Sequence, residues 1–281
     1  LLLVKNLDTG PCNLYLKLES FNLGGSIKDR PAKNMIIEAE KKGLLKKGGT
    51  IVEATAGNTG IALAIMAVKR GYKVVIIVPD KMTIEKVYHL KALGAEVIVA
   101  RSDVVNGHPE YYLEIAKKIA KERKAFYINQ FSNQANIKSH IKDLGPEIYK
   151  QLDGKIHAFV AGVGTGGTIS GIGKFLKSKN KKCELVLADP KGSILKDLIK
   201  TGKINKNVGS WIVEGIGEDF CPPLLDTSLI DHAYSISDFE AIDSCRKLLQ
   251  NEGILAGSSS GTLLATALKF CKAQKVKKNV V

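Results

Sequence analysis

Three short segments of this 281-residue chain hold residue types whose spacing could do chemistry. In Gly162-Val163-Gly164-Thr165-Gly166-Gly167-Thr168, glycines let the backbone wrap an anion, and a following helix adds the positive end of its dipole. The same segment satisfies GxGxxG through Gly162, Gly164 and Gly167, and Asp189 ends the next apolar run about where the ribose-binding acid of a dinucleotide site stands. Phosphate binding of one kind or the other is therefore expected there. In Gly24-Gly25-Ser26-Ile27-Lys28-Asp29-Arg30-Pro31, a lysine stands between a flexible glycine pair and a helix start with Asp29, Arg30 and Pro31 in its first turn. A lysine held in that way can lose hydration and approach the neutral amine that imine formation requires. By itself this signal is weak, because most lysines of so basic a chain are solvated surface groups. Thr55-Ala56-Gly57-Asn58-Thr59-Gly60 offers backbone N–H groups, hydroxyls and one side-chain amide to a carboxylate. Alone, it would be taken for an ordinary helix-capping turn.

Together the three segments resemble the cysteine synthase / cystathionine β-synthase family, pyridoxal-phosphate enzymes of the tryptophan-synthase-like fold. The resemblance runs from Leu2 to the last residue. It includes Asn129-Gln130-Phe131-Ser132-Asn133, Glu214-Gly215-Ile216-Gly217-Glu218-Asp219-Phe220 and Ala256-Gly257-Ser258-Ser259-Ser260-Gly261. It implies pyridoxal 5'-phosphate as cofactor, held as an imine on Lys28. It also implies that the cofactor phosphate lies on Gly164, Thr165, Gly166, Gly167 and Thr168, the cofactor hydroxyl near Asn58, and the pyridine nitrogen opposite Ser259. Thr55, Ala56, Gly57, Thr59 and Gln130 are implied to hold the substrate carboxylate. Under this resemblance Asp189 is only the end of a strand, and the dinucleotide reading recedes.

The implied activity is β-replacement on a β-substituted alanine (O-acetylserine, serine or cysteine) through an aminoacrylate imine, in cysteine and sulfide metabolism. Lys28 is the implied catalytic base at the α-carbon. Ser259 is neutral, so the ring is less electron-withdrawing than it would be beside a carboxylate, which favours quick loss of the β-group. Segment 214–220 resembles the cystathionine β-synthase version, except that Glu218 stands where those enzymes commonly carry tyrosine. Segment 129–133 leans towards cysteine synthases. The adjacent acids Glu218 and Asp219 occupy a place where cysteine synthases generally have small uncharged residues. Asp219 is therefore a second candidate catalytic residue, accepting a proton from the incoming nucleophile. The alternative that follows consumes cysteine, releases sulfide and yields serine, lanthionine or cystathionine. A different-class alternative is a non-catalytic binding scaffold of the same fold; Lys28, Asn58 and Ser259 together argue against it.

These residues need a frame that holds them. Short β-branched runs at 14–19, 50–53, 73–78, 96–100, 126–129, 156–161 and 184–188 read as strands. Helical patterns fall at 32–45, 59–70, 84–93, 111–123, 139–152, 168–176, 238–251 and 261–272. The alternation predicts an α/β chain of mostly parallel twisted sheets flanked by helices, with ligands beyond the carboxyl ends of the strands. The resemblance adds a smaller domain over 22–132 set into a larger one of 1–21 and 133–281, with the site in the cleft between them, and a homodimer.

Composition narrows the classes further. The formal charge of +14 invites a nucleic-acid reading, yet only five of 42 basic residues are arginine, and the lysines sit on outer helix faces without interleaved aromatics. No nucleic-acid partner is expected, nor a membrane span, since the apolar runs are of strand length. The five cysteines are scattered, without metal-ligand spacing, and read as reduced thiols of a cytoplasmic protein with no metal site. His89, His108, His140, His157 and His232 show no ligand spacing, and Trp211 reads as packing. The abrupt ends, Leu1-Leu2-Leu3-Val4 and Val280-Val281, read as strands cut short. The expected partners are a small amino acid with sulfide, a thiol or water.

Overall fold

A computed structural model describes residues 1–281 other than 56, 105, 106 and 205–207. Ala56, one of the expected carboxylate residues, thus lies outside the described residues. The chain divides into two compact units, one of Leu1–Leu18 with Ile137–Val281 and one of Glu19–Asn136.

The strands β1 (Leu2–Leu3) and β2 (Asn13–Leu16) begin the larger unit. The smaller unit then runs α1 (Asp29–Lys41), β3 (Thr50–Ala54), α2 (Asn58–Arg70), β4 (Lys73–Pro79), α3 (Ile84–Ala92), β5 (Glu96–Ala100), α4 (Tyr112–Glu122) and β6 (Phe126–Tyr127). Its sheet has the order β5-β4-β3-β6, parallel throughout, with Val52 opposite Val75 and Tyr127. A parallel sheet covered on both faces needs apolar residues at every position, and β4 supplies Val74-Val75-Ile76-Ile77-Val78. Val74, Ile76 and Val78 pack with Met35 and Ile36 of α1 and with α2, while Val75 and Ile77 pack with Ala116 and Ala120 of α4. In the interior of β3, Glu53 is the exception, a carboxyl with 0 % exposure.

After α5 (Gln134–Ser139) come a π-helical turn (His140–Leu144), α6 (Gly145–Gln151), β7 (Ala158–Gly162), α7 (Gly167–Lys179), β8 (Glu184–Pro190), α8 (Leu195–Thr201), β9 (His232–Ile236), α9 (Asp238–Glu252), α10 (Ser258–Lys272) and β10 (Asn279–Val280). The larger unit's sheet has the order β1-β2-β10-β7-β8-β9, parallel except for the β1–β2 pair. Its core joins Val160 and Val186 of the central strands to Leu264, Ala267 and Phe270 of α10.

Several element bounds depart from the periodicity, each for a local reason. The segment expected to be a strand over 14–19 stops at Leu16, because the chain turns into a 3-10 turn at Glu19–Phe21. The helix expected over 32–45 is α1, which ends before Gly43 at φ 69°. The helix expected over 139–152 is broken by the π turn ahead of Pro146, whose ring nitrogen has no hydrogen to donate. The helix α10 begins three residues before 261, since three serines and the extended Gly257 suit a helix start. Strand β9 and helix α8 were not legible as periodic runs, being short and interleaved with polar residues, whereas β10 falls at the chain end read as a strand.

Against α9, α10 packs so tightly that a Cβ at Gly261 would overlap the Ala241 carbonyl oxygen and Cys245 Sγ. Gly261→Ala should therefore lower stability by about 1–3 kcal/mol. A thermal melt of the variant beside the parent chain checks this; equal midpoints would show that the two helices can separate without cost.

Candidate active site

In the smaller unit, the loop before α1 is held from both sides. Glu19 accepts from Arg30 Nε at 2.7 Å and Nη2 at 2.8 Å, and from Asn22 Nδ2 at 2.8 Å. Asn22 Nδ2 also donates to the Ser26 carbonyl at 3.0 Å, and the buried Asp29 carboxylate accepts from Gly24 N at 2.7 Å. Lys28 stands at the end of this loop as the residue before α1, its N–H donating to Ser26 Oγ at 3.3 Å. Burial lowers its ammonium from the ordinary lysine range, because an apolar surrounding disfavours the charged form.

The two expected carboxylate segments of this unit meet. β3 runs into Thr55, whose Oγ1 accepts from Gly57 N at 3.2 Å, and Asn58 opens α2 with an exposed side chain. After β6 the chain turns at Asn129, a non-glycine residue at φ 51°, so that Gln130 is buried. Thr59 Oγ1 donates to Gln130 Oε1 at 2.7 Å, joining the segments side chain to side chain. Because the carbonyl end of the Gln130 amide serves Thr59, its NH₂ end is the one directed elsewhere. Thr55 and Thr59 are buried beside it.

In the larger unit, β7 ends at Gly162 and α7 begins at Gly167. Between them, Gly166 lies at φ 82°, where a Cβ would also stand 2.7 Å from Leu225 N. Only glycine lets the turn close that tightly. Buried Thr165 accepts from Gly167 N at 3.4 Å through Oγ1. Thr168 Oγ1 lies 3.4 Å from Nε2 of His140, a fully buried ring carried by the π turn. Segment 214–220 is laced to this turn, Gly217 N donating to the Val163 carbonyl at 2.8 Å. The same segment meets the start of α10, Glu214 N donating to Ser258 Oγ at 3.2 Å. Ser259 is half-buried in the first turn of α10.

The two acids of that segment differ. Asp219 is exposed. Glu218 is half-buried, with its main chain fixed by Ser193, and its carboxyl is pushed up to about 8, first by burial, then by the charges of Asp219 and Asp189. Asp189 accepts from Lys196 N at 2.7 Å and is raised to about 6, chiefly by burial. It therefore closes the start of α8.

Each unit thus gathers its own share of the expected residues. Thr55, Gly57, Asn58, Thr59 and Gln130 cluster in the smaller unit, which also carries Lys28; Gly164, Thr165, Gly166, Gly167, Thr168, Ser259 and Asp219 lie in the larger one. Two buried groups were given no part in the site by the sequence: Glu53, which was not singled out, and His140, read only as lacking ligand spacing. A lone acid inside the apolar run Thr50–Ala54 was a signal for the first; the second had none, since only the π turn aims the ring at Thr168. Among the described residues, no group of three His, Cys, Asp or Glu is placed to hold a metal ion. No helix among them is long and apolar enough to cross a membrane.

The donor set fits a phosphorylated pyridoxal. The glycine turn at the N-terminus of the 13-residue α7, with two threonine hydroxyls, has the donors an anion cradle would use, and Lys28 is desolvated as an imine-forming lysine needs to be. The family described as pyridoxal-phosphate dependent enzyme matches residues 1–281. The chain belongs to it. The cystathionine β-synthase of Apis mellifera is 45% identical over 262 residues, 93% of this chain and 51% of that protein. The O-acetylserine dependent cystathionine β-synthase of Bacillus subtilis is 40% identical over 283 residues, 100% of this chain and 89% of that one. The crystal structure of a hydrogen sulfide-producing enzyme from Fusobacterium nucleatum superposes with a TM-score of 0.89 at 36% identity, covering 99% of this chain and 92% of that chain. The chain spans about half the length of the first curated relatives it matches. Its sheets and helices are those of a pyridoxal-phosphate enzyme of the tryptophan-synthase β type.

The raised carboxyl of Glu218 has a consequence for stability. A carboxyl that holds its proton more tightly when folded adds stability below the ordinary carboxylate pKa, and that contribution is lost as pH rises through the folded value of about 8. Glu218→Gln cannot ionise, so its melting temperature should gain on the parent chain between pH 5 and pH 9. Melts across that range test it, and a constant gap would mean that Glu218 titrates normally.

Proposed function

We propose that this protein replaces the β-substituent of a β-substituted alanine, with O-acetylserine, serine or cysteine as donor and sulfide, a thiol or water as acceptor. The observation that carries the reading is Lys28, a desolvated lysine clamped at the start of α1 inside the family match. In this reading Lys28 holds the cofactor and takes the α-proton at Nζ, the step for which a neutral amine is needed. Pyridoxal phosphate, when bound, delocalises the charge that develops on the α-carbon. Gly164, Thr165, Gly166, Gly167 and Thr168 hold its phosphate, Asn58 its hydroxyl and Ser259 its ring nitrogen. Thr55, Ala56, Gly57, Thr59 and Gln130 orient the substrate carboxylate. The name of the Bacillus subtilis relative, of which this chain covers 89%, supports O-acetylserine among the donors. The reading keeps the homodimer that the resemblance implies, and five cysteines as free thiols suit a cytoplasmic protein.

A second reading rests on the acids of segment 214–220 and on the name of the Fusobacterium nucleatum enzyme. Asp219, exposed and beside the raised carboxyl of Glu218, accepts a proton from water or a thiol in the replacement step. Cysteine is then the donor, sulfide leaves, and serine, lanthionine or cystathionine results.

Incubating purified protein with O-acetylserine, serine and cysteine in turn, with and without sulfide or homocysteine, and weighing the products distinguishes these donors. Lys28→Ala should lose turnover by at least about a thousandfold while keeping some cofactor on the phosphate turn. Borohydride reduction and peptide mapping should place the cofactor on Lys28, and its recovery on another lysine would refute the assignment. Ser259→Asp should slow release of the leaving group in a single turnover more than it weakens cofactor binding; unchanged release removes Ser259 from the ring nitrogen. Asp219→Asn should spare that first release and slow replacement at least about tenfold, or roughly 1.4 kcal/mol. Wild-type rates in both halves would leave Asp219 without a catalytic part.

A further inference from the structure

Gln130 is held at three points, all within the smaller unit. Thr59 Oγ1 donates to its side-chain carbonyl at 2.7 Å, Asn136 Nδ2 donates to its main-chain carbonyl at 3.0 Å, and its main-chain N–H points to Glu53 Oε2 at 3.4 Å. Glu53 sits on β3 two residues before Thr55, so it stands where the two carboxylate-binding segments leave the sheet. With 0 % exposure its carboxyl is wholly inside the unit, and its second oxygen, Oε1, has no hydrogen-bond partner among the described residues. A buried acid with half its bonding unfilled is costly, and fold stability alone would be better served by an apolar residue of the β3 pattern.

We propose that Glu53 is a positioning residue for the substrate's α-carboxylate, fixing the Asn129–Gln130 turn so that the NH₂ end of the Gln130 amide is presented to that anion. The inference rests on the carboxylate-site reading given above and adds a residue behind it. The turn needs such support, because Asn129 at φ 51° occupies a region that side chains adopt at a cost. Glu53 meets it directly, since the amides of Gln130, Ala54 and Asn129 all face its carboxyl.

The charge state follows from the surroundings. Burial pushes Glu53 up to about 8, the three amides only partly opposing it, so the group is an uncharged acid at neutral pH. Tyr127 of β6 is in register with Val52 and packs toward α4 on the opposite face of the sheet; its hydroxyl is raised by burial and by the charges of Glu53 and of Glu114 on α4. From β4 the strand beside Glu53 presents Ile76 in register, and α2 presents apolar residues to the same core. Uncharged, Glu53 supports the turn without repelling the substrate; ionised, it places negative charge behind the donors that should attract a carboxylate, and binding weakens.

The test uses cofactor-loaded protein and calorimetric titration with L-alanine, which carries the α-carboxylate but no β-leaving group. From pH 7 to pH 9 the parent protein should lose affinity at least about threefold more than Glu53→Gln does, as expected for a site whose ionisation opposes binding. Titration of the ligand's own amine is common to both proteins and cancels in that ratio. At pH 7, Glu53→Gln should bind within about twofold of the parent, while Glu53→Ala, if it folds, should bind at least about fivefold more weakly with its cofactor absorbance unchanged. A Glu53→Gln profile that parallels the parent's overturns the inference, as does a folded Glu53→Ala with parental affinity. Gln130→Ala separates the two levels of the argument. If it leaves L-alanine affinity unchanged, the carboxylate-site reading itself fails; if it weakens binding while the Glu53 variants are silent, only the role of Glu53 falls.

Discussion

Parallel pairing is the constraint on which the rest of this structure depends. When strands run side by side in one direction, their carboxyl ends share an edge, and each following helix presents its N-terminal amides there. In the smaller unit β3 leads through residues 55–57 into α2; in the larger unit β7 leads through residues 163–166 into α7. The two turns obey one rule and differ in chemistry. The first offers threonine hydroxyls and a glutamine amide, suited to a carboxylate; the second offers glycine amides closed by Gly166 at φ 82°, suited to a phosphate.

Keeping the sheets parallel requires strands that are apolar on both faces, and this sets the electrostatics. The net charge of +14 is carried on the surface, where lysines pair with acids such as Glu114 and Asp243 in contacts of small energetic weight. Inside, the charged groups are few and their protonation is set by burial. Lys28 is pushed down, while Glu53 and Glu218 are pushed up. These are opposite shifts with one cause, since low dielectric favours the neutral form of acid and base alike. The shifts of Glu53 and Glu218 favour the uncharged acid, and that of Lys28 runs towards the free amine.

Two of the backbone exceptions lie beside candidate site residues. The π turn at His140–Leu144 breaks what periodicity reads as one helix, and it is the break that brings the imidazole to Thr168. Asn129 takes a left-handed conformation at the one place where β6 must turn sharply into the glutamine segment. Such local irregularities cost free energy and persist where surrounding contacts hold them. Here those contacts are identifiable: Gly171 leaves room for the His140 side chain, and Asn133 Nδ2 closes the Asn129 turn on the Ile128 carbonyl at 2.9 Å.

The sequence by itself determined the α/β class, the glycine turn after β7 and the lysine before α1. Those features are local: alternation of β-branched and amphipathic runs, and residues whose own conformational freedom or charge is legible one at a time. It also placed Thr59 and Gln130 on one candidate list, by resemblance. Only the tertiary structure decided that Thr59 donates to Gln130 across 71 positions of chain, that Glu53 lies wholly inside beneath that pair, and that Glu218 rather than Asp219 is the desolvated acid of segment 214–220. It likewise decided that Ser259 lies in the first turn of α10 instead of preceding it. Each of these is a matter of which non-local groups enclose a side chain, and desolvation is a property of the enclosure, which no spacing along the chain encodes.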